Sequence, residues 1–413
     1  MPLASTAARA ILAEADALHD RQVRFLADLV RVPSDNPPGD CAPHAVRTAA
    51  LLESLGFAVE RHPVPDATVR AAGMISATNL IVRHRFGDGP VVALNAHGDV
   101  VAPGEGWTHD PYGAEIADGR MYGRGVAVSK SDFATYAFAL MALKRAGAPL
   151  AGTVELHLTY DEETGGEIGP GWLLAQGLST PDYAISAGFA HAVTVAHNGC
   201  LHLEIKVRGR SAHAARPDTG ADALEAATRL LSALYAIRPA LAARRSAVPG
   251  IGHASLVVGL IEGGINTNVV PDRVAFRLDR RIVPEENAAE AEAELRALLA
   301  EAARGLPGIS IEVRRVLLAA PLGAVPGQER LVAALRAGAE VAGYGALPTD
   351  GTPIYCDARL YGAAGIPTVL FGAGPADMLE ANGHRADENL KLDDLRRATR
   401  ITALGIAALL APA

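Results

Sequence analysis

Val91-Val-Ala-Leu-Asn-Ala-His97-Gly-Asp99 is a short apolar run that ends abruptly in an imidazole, a glycine and a carboxylate. A run of that length and composition predicts a buried strand, with polar chemistry gathered just past its carboxyl end. The pattern recurs. Val154, Leu156 and Leu158 alternate up to Asp161-Glu162-Glu163, and Thr368-Val-Leu-Phe371 leads into the glycine-containing loop before His384. Between these strands lie helical stretches: 8–30, ended by Val32-Pro33; 42–55, stopped by Gly56; and 133–146, which feeds the strand 153–160. Strands also fit 79–85 and 91–95. Helices alternating with apolar strands predict an α/β layer with a mostly parallel central sheet, whose functional groups collect beyond the carboxyl ends of its strands.

The texture changes at Leu201. Leu201, Leu203, Ile205 and Val207 alternate with His202, Glu204, Lys206 and Arg208, which marks a sheet with one wet face. A helix (222–237), two strands (255–261 and 274–282), a helix (287–303) and a strand (309–316) follow. That order, β-α-β-β-α-β, is the ferredoxin-like unit. Residues 201–317 are therefore expected to form an inserted domain, with 1–200 and 318–413 forming the main one.

At 413 residues two domains are expected, and 49% hydrophobic with 20% charged residues suits a globular body rather than a disordered chain. A net charge of −8 disfavours nucleic acid as a partner. No stretch approaches the ~20 apolar residues of a membrane span. Cys41, Cys200 and Cys356 are widely spaced and odd in number. Together with an N-terminus that lacks a basic-then-apolar signal, they lead us to expect a cytoplasmic protein without a structural thiolate site.

A histidine with a neighbouring carboxylate, a pair of carboxylates and a second histidine can supply ligands, an orienting group and a base for metal-assisted hydrolysis. Several ordered motifs accompany them: Gly119-Arg-Met-Tyr-Gly123-Arg-Gly125, Asp161-Glu-Glu-Thr-Gly165, Gly209-Arg-Ser-Ala-His213, Asn266-Thr-Asn268-Val-Val-Pro271, Asp357-Ala-Arg359 and His384-Arg-Ala-Asp-Glu388. From about residue 90 to 390 this set resembles the metallohydrolase family of acetylornithine deacetylase, succinyl-diaminopimelate desuccinylase and glutamate carboxypeptidase. The resemblance implies a zinc-peptidase-like catalytic domain and an inserted lid that carries a homodimer contact. It implies His97 and His384 as imidazole ligands, Glu163 as a carboxylate ligand and Asp99 as the carboxylate that fixes the His97 ring. Glu162 becomes the general base that takes a proton from metal-bound water, and His213 the group that reaches the substrate carbonyl.

Two departures stand out. Where the family carries an Asp bridging two metals, this chain has Val128, and where it carries a further Glu ligand, the segment around Gly188 offers no carboxylate. The ligands that remain, His97, Glu163 and His384, suit one divalent cation per chain, zinc or manganese. Asp132, four residues past Val128, is the candidate replacement; the competing reading makes it a first-turn acid of its helix. His191 and His197 are better read as packing or surface groups.

The expected activity is metal-dependent hydrolysis of an amide or related C–N bond in a small carboxylate-bearing substrate. Asn268 would meet a carbonyl, and Arg281 and Arg359 would clamp the carboxylate. Three other readings remain open: an aminohydrolase using one metal, a non-catalytic binding protein that kept the fold, and an enzyme that runs amide formation in the reverse sense.

Overall fold

The computed structural model describes residues 5–412, which group into two compact units. The first comprises residues up to 195 with 324–350 and 356–413; the second comprises 196–323 with 351–355. In chain order the first unit begins with α1 (Ser5–Val30), α2 (Ala42–Ser54), β1 (Val59–Pro63), α3 (Asp66–Ala71), β2 (Thr78–Arg85), β3 (Val91–His97), β4 (Glu115–Ala117), β5 (Arg120–Tyr122), α4 (Lys130–Ala146), β6 (Thr153–Thr159), α5 (Pro170–Ala175), β7 (Tyr183–Ser186) and β8 (Val193–His197). The second unit holds β9 (Gly199–Arg208), α6 (Ala223–Ala236), α7 (Arg238–Ala243), β10 (Ser255–Gly263), β11 (Arg273–Ile282), α8 (Ala288–Ala302) and β12 (Ser310–Ala319). The chain closes with α9 (Gln328–Val341), β13 (Thr349–Thr352), α10 (Ala358–Ala363), β14 (Thr368–Leu370), β15 (Asn389–Lys391) and α11 (Leu392–Leu409).

The large sheet has the order β1-β2-β6-β3-β7-β14-β8-β13. Its centre is parallel, as expected: β3 runs with both β6 and β7, and β14 with β7. The flanks are antiparallel, since β1 pairs β2, β2 pairs β6 and β14 meets β8 in that sense. The sheet is thus mixed. The cause is local, because the short connection 86–90 cannot carry a parallel crossover, so β2 and β3 run in opposite directions on either side of β6. Helix α4 is buried from Lys130 through Leu143. It ends at Gly147, whose left-handed φ of 60° lets the chain leave the helix without a Cβ penalty. Its Phe138 packs edge-on against Phe25 of α1 with ring centroids 5.5 Å apart. Burying a side chain of that size contributes roughly 1.5–3 kcal/mol.

In the second unit the sheet order is β10-β11-β9-β12, antiparallel throughout, with α6 and α8 as the crossovers. Both helices start where the sequence offers a capping side chain. Asp222 Oδ1 accepts the N–H groups of Leu224 (2.8 Å) and Glu225 (3.0 Å), and Asn287 Oδ1 those of Ala289 (2.9 Å) and Glu290 (3.2 Å). This unit extends past the 201–317 suggested by the alternation. Its root is closed by reciprocal backbone bonds between His197 and Leu322, both 3.1 Å, which draw in residues outside the patterned strands.

Candidate metal centre

The parallel register of β3 and β6 sets His97 opposite Thr159, so the residues just past both strands emerge side by side. Glu162–Thr164 form a single 3₁₀ turn there. Asp99, fully buried, joins the two strand ends. Its Oδ1 lies 3.3 Å from His97 Nδ1 and accepts the Glu162 N–H at 3.3 Å. Its Oδ2 accepts the Glu163 N–H at 3.1 Å and the Asn36 amide at 2.9 Å. His97 Nδ1 also lies 3.0 Å from the Asp99 carbonyl oxygen. With two acceptors on Nδ1, the network assigns the proton to that nitrogen and leaves the lone pair on Nε2. Gly98 has no room for a side chain, since a Cβ there would sit 2.5 Å from Tyr160 Cε1 and 3.0 Å from Phe133 Cζ. The His-Gly-Asp spacing is therefore fixed by packing as well as by chemistry.

His97 Nε2 lies 3.8 Å from Glu162 Oε2, and the ligand atoms of His97, Glu162 and Glu163 all fall within 4.8 Å of one another. His384 reaches the same place from the other end of the chain, with Nε2 3.7 Å from Glu163 Oε1. It sits in a turn with φ +61°, a left-handed conformation uncommon outside glycine but one that histidine tolerates better than most residues. The turn is tied to its neighbours. Asp387 accepts from the N–H and Oγ1 of Thr108, each at 2.8 Å, and Arg124 donates to the Arg385 carbonyl at 3.3 Å.

The electrostatics of the cluster call for a cation. Burial raises the pKa of Glu162 well above the carboxylate range, opposed by His97 and reinforced by Glu163. Burial likewise lifts Glu163 to about 8, with His97 opposing and Asp99 and Glu388 adding to the rise. Burial alone would lower His97, yet Glu162, Asp99 and Glu163 carry it well above the ordinary imidazole value. Partial burial (the side chain is still 54% exposed), helped by Arg124 and His97, lowers His384, which favours a neutral ring able to coordinate. A neutral His384, a His97 ring whose Nε2 proton a cation would displace, and two buried carboxyls form a donor set that fits a divalent metal ion.

Val128 is half-buried. Its neighbour Ser129 clasps the backbone of His97, accepting from the His97 N–H at 3.0 Å and donating to its carbonyl at 2.9 Å. Asp132, fully buried, turns its carboxylate to the N–H groups of Ala373 (2.6 Å) and Gly188. A Cβ at Gly372 would lie 2.1 Å from Asp132 Oδ1. Both of its N–H partners lie outside its own helix. The carboxylate thus reaches the Gly188 segment, where the sequence lacks the expected Glu. Burial raises its pKa to about 7 against those two N–H groups and His97.

The remaining expected residues lie elsewhere or are already engaged. His213 and Asn268 are exposed on neighbouring loops of the second unit; His213 bridges Val269, and the Asn268 carbonyl accepts from Ala214 at 3.0 Å. Arg281 donates through Nε to Asp279 Oδ1 at 2.9 Å. Buried Arg359 straps the loop behind the acidic pair, donating to the Gly165 carbonyl and to Glu167 at 3.1 Å. His191 is paired with Asp394 at 2.8 Å. Two participants had no role assigned from sequence. Asn36, whose amide serves Asp99, carries no local pattern that marks it in the sequence. Asp357 was visible in the Asp357-Ala-Arg359 motif; buried, it has its pKa raised to about 7 by that burial, with His97 opposing and Asp99 adding to the rise.

The model of the peptidase family M20/M25/M40 matches residues 93–407. A succinyl-diaminopimelate desuccinylase of Rhodospirillum centenum is 30% identical over 394 residues, covering 92% of this chain and 95% of that protein. An acetylornithine deacetylase of Myxococcus xanthus is 29% identical over 366 residues, covering 87% and 90%. A Bacillus subtilis peptidase of the M20 family, described as dinuclear metal binding, shares the fold with a TM-score of 0.67 at 19% identity, over 96% of this chain and 99% of that one. With the family model spanning most of its length and relatives matched nearly end to end, the chain belongs to peptidase family M20/M25/M40 and is a metal-dependent hydrolase of amide bonds.

Proposed function

We propose that the chain hydrolyses the amide bond of a small carboxylate-bearing substrate, an N-acyl amino acid or a short peptide, with Glu162 as general base. The observation that carries this reading is the double use of Asp99, which orients the His97 ring and holds the Glu162 and Glu163 N–H groups. His97, Glu163 and His384 would hold one divalent cation, zinc or manganese, and Asp132 would add an anion from the Gly188 side. A cation held there would supply Lewis-acid chemistry, lowering the pKa of an attacking water and polarising the substrate carbonyl.

The protein's own groups do the rest. Glu162 accepts the proton of the attacking water and returns it to the leaving nitrogen. Asp99 prevents the His97 ring from rotating away. His213 would donate to the developing oxyanion from a second chain in a homodimer, with Asn268 beside it. Arg359 and Arg281 each hold a carboxylate of the chain itself, Glu167 and Asp279, so a substrate carboxylate would have to share or displace that partner.

The test is a panel of N-acetyl and N-succinyl amino acids and dipeptides, assayed with zinc and with manganese. Metal content is read as the equivalents lost between wild type and His97→Ala. One equivalent lost, with turnover of at least one panel class, is the expected result; two equivalents lost would overturn the single-cation reading. Full metal content without turnover of any substrate would favour a binding protein. Val128 and the Gly188 segment, which change the donor set, favour one second reading, an aminohydrolase. That enzyme would release ammonia, which a coupled assay detects directly.

A further inference from the structure

The open face of the second unit's sheet carries a cluster that the hydrolytic centre does not use. In the antiparallel pairing of β9 with β11, Asp279 stands opposite His202 and Arg281 opposite Cys200. Cys200 and His202 are two residues apart on one strand, so their side chains share a face. Cys200 Sγ lies 3.3 Å from His202 Nε2, and Asp279 Oδ2 lies 2.9 Å from the same nitrogen. One ligand atom from each residue falls within 4.8 Å of the other two.

We propose that Cys200, His202 and Asp279 form a second divalent-metal site, of the borderline-soft kind that zinc occupies. The decisive detail is that both contacts converge on Nε2. A thiol–imidazole–carboxylate relay needs the thiol on one ring nitrogen and the carboxylate on the other, so that a proton can pass through the ring. Here a single ring nitrogen faces sulfur and oxygen together, and one N–H can point squarely at only one of them. A cation satisfies all three at once. Zinc with ligand distances of about 2.3 Å to sulfur and about 2.0–2.2 Å to nitrogen and oxygen needs the Sγ–Nε2 and Nε2–Oδ2 spacings to open by only a few tenths of an ångström.

Charge and orientation agree. A thiolate and a carboxylate neutralise a divalent ion, with the imidazole as neutral third donor, and the thiol proton leaves on binding. Arg281 holds the other Asp279 oxygen, Oδ1, at 2.9 Å, which turns Oδ2 toward the site. Cys200 is fully buried, while the His202 and Asp279 side chains are 36% and 28% exposed. The fourth position therefore opens to solvent, for water or an incoming ligand. All three donors stand on strands of one sheet, and β9 is flanked on both sides by β11 and β12, a rigid base for fixed coordination.

The experiment titrates the full-length protein with cobalt(II) and follows the near-ultraviolet charge-transfer band that only a thiolate ligand produces. The wild type is expected to develop the band. Cys200→Ser should abolish it and remove one equivalent of bound metal, whereas Cys356→Ser and Cys41→Ser should keep it. Asp279→Asn, which preserves shape and retains the thiol, should weaken cobalt binding about tenfold or more. No band in the wild type, or a band that survives Cys200→Ser, overturns the proposal.

Discussion

Arg124 and Glu388 form an ion pair at 2.5 Å in which each side chain is only 1% exposed. The pair links the Gly-Arg-Gly segment to the turn that carries His384, and Glu388 also accepts the Ala127 N–H at 3.0 Å. Removing one partner leaves a buried charge without its counterion, which costs about 3–5 kcal/mol. Glu388→Gln should therefore shift the urea midpoint strongly downward. A paired replacement, Arg124→Met with Glu388→Leu, should recover much of that loss. Equal destabilisation in the single and double variants would contradict this account.

Glu162 and Glu163 are neighbours with different expected tasks. Glu162→Gln should retain metal and fold while turnover drops by ~10²–10⁴-fold, the range for losing a general base. Glu163→Gln should instead lose metal. If both variants lost metal equally, and activity followed occupancy in each, the division of labour would be wrong.

Asp132 gives a sharper test than its place in the helix suggested. Asn is a good helix cap, yet the carboxylate here serves two backbone N–H groups outside its helix, and an Asn amide can accept from them only through its single oxygen. Asp132→Asn should cost about 1–3 kcal/mol of stability for the acceptor lost. It should also lower metal affinity about tenfold. Unchanged affinity by competition with a chelator, alongside the stability loss, would make Asp132 a clamp on Gly188 and Ala373 alone.

The pH dependence follows from the raised carboxyls. Glu163 at about 8, and Asp132 and Asp357 at about 7, hold protons in the folded metal-free chain that an unfolded chain releases near ~4. The folded state binds more protons across that window, so its stability falls as pH rises from about 4.5 to 8. A bound cation takes the place of those protons. Thermal midpoints with metal and with chelator should therefore diverge steadily between pH 5 and 8; a gap that stays constant would show that these carboxyls do not titrate with the site.

Much of this was legible from period and composition. The clean alternation at 201–208 announced a sheet with one wet face, and Asp222 and Asn287 marked the helix starts that they cap. The strand ends at His97 and Glu162 were visible because polar residues followed buried runs. Less was legible where partners are remote in sequence. Nothing local to Asn36 says that its amide serves Asp99, and nothing near Asp132 says that its carboxylate turns toward Gly188. The antiparallel flanks of the large sheet were equally hidden, because a short connection excludes one crossover without naming the strand that pairs next. Cys200 and His202 stand out in the sequence only as one of three cysteines and as a wet-face strand residue, since Asp279 completes their cluster only across the strand register.

His97, Glu162 and Glu163 come from the first half of the chain and His384 from close to its end, with β9 to β12 in between. A ribosome making this protein finishes the entire inserted unit before the last donor exists. The early donors therefore wait on a half-built sheet until the C-terminal turn arrives. With the proposed donor set, metal capture waits for the segment around residue 384, and a chain cut short just before it has every strand of the large sheet but lacks His384.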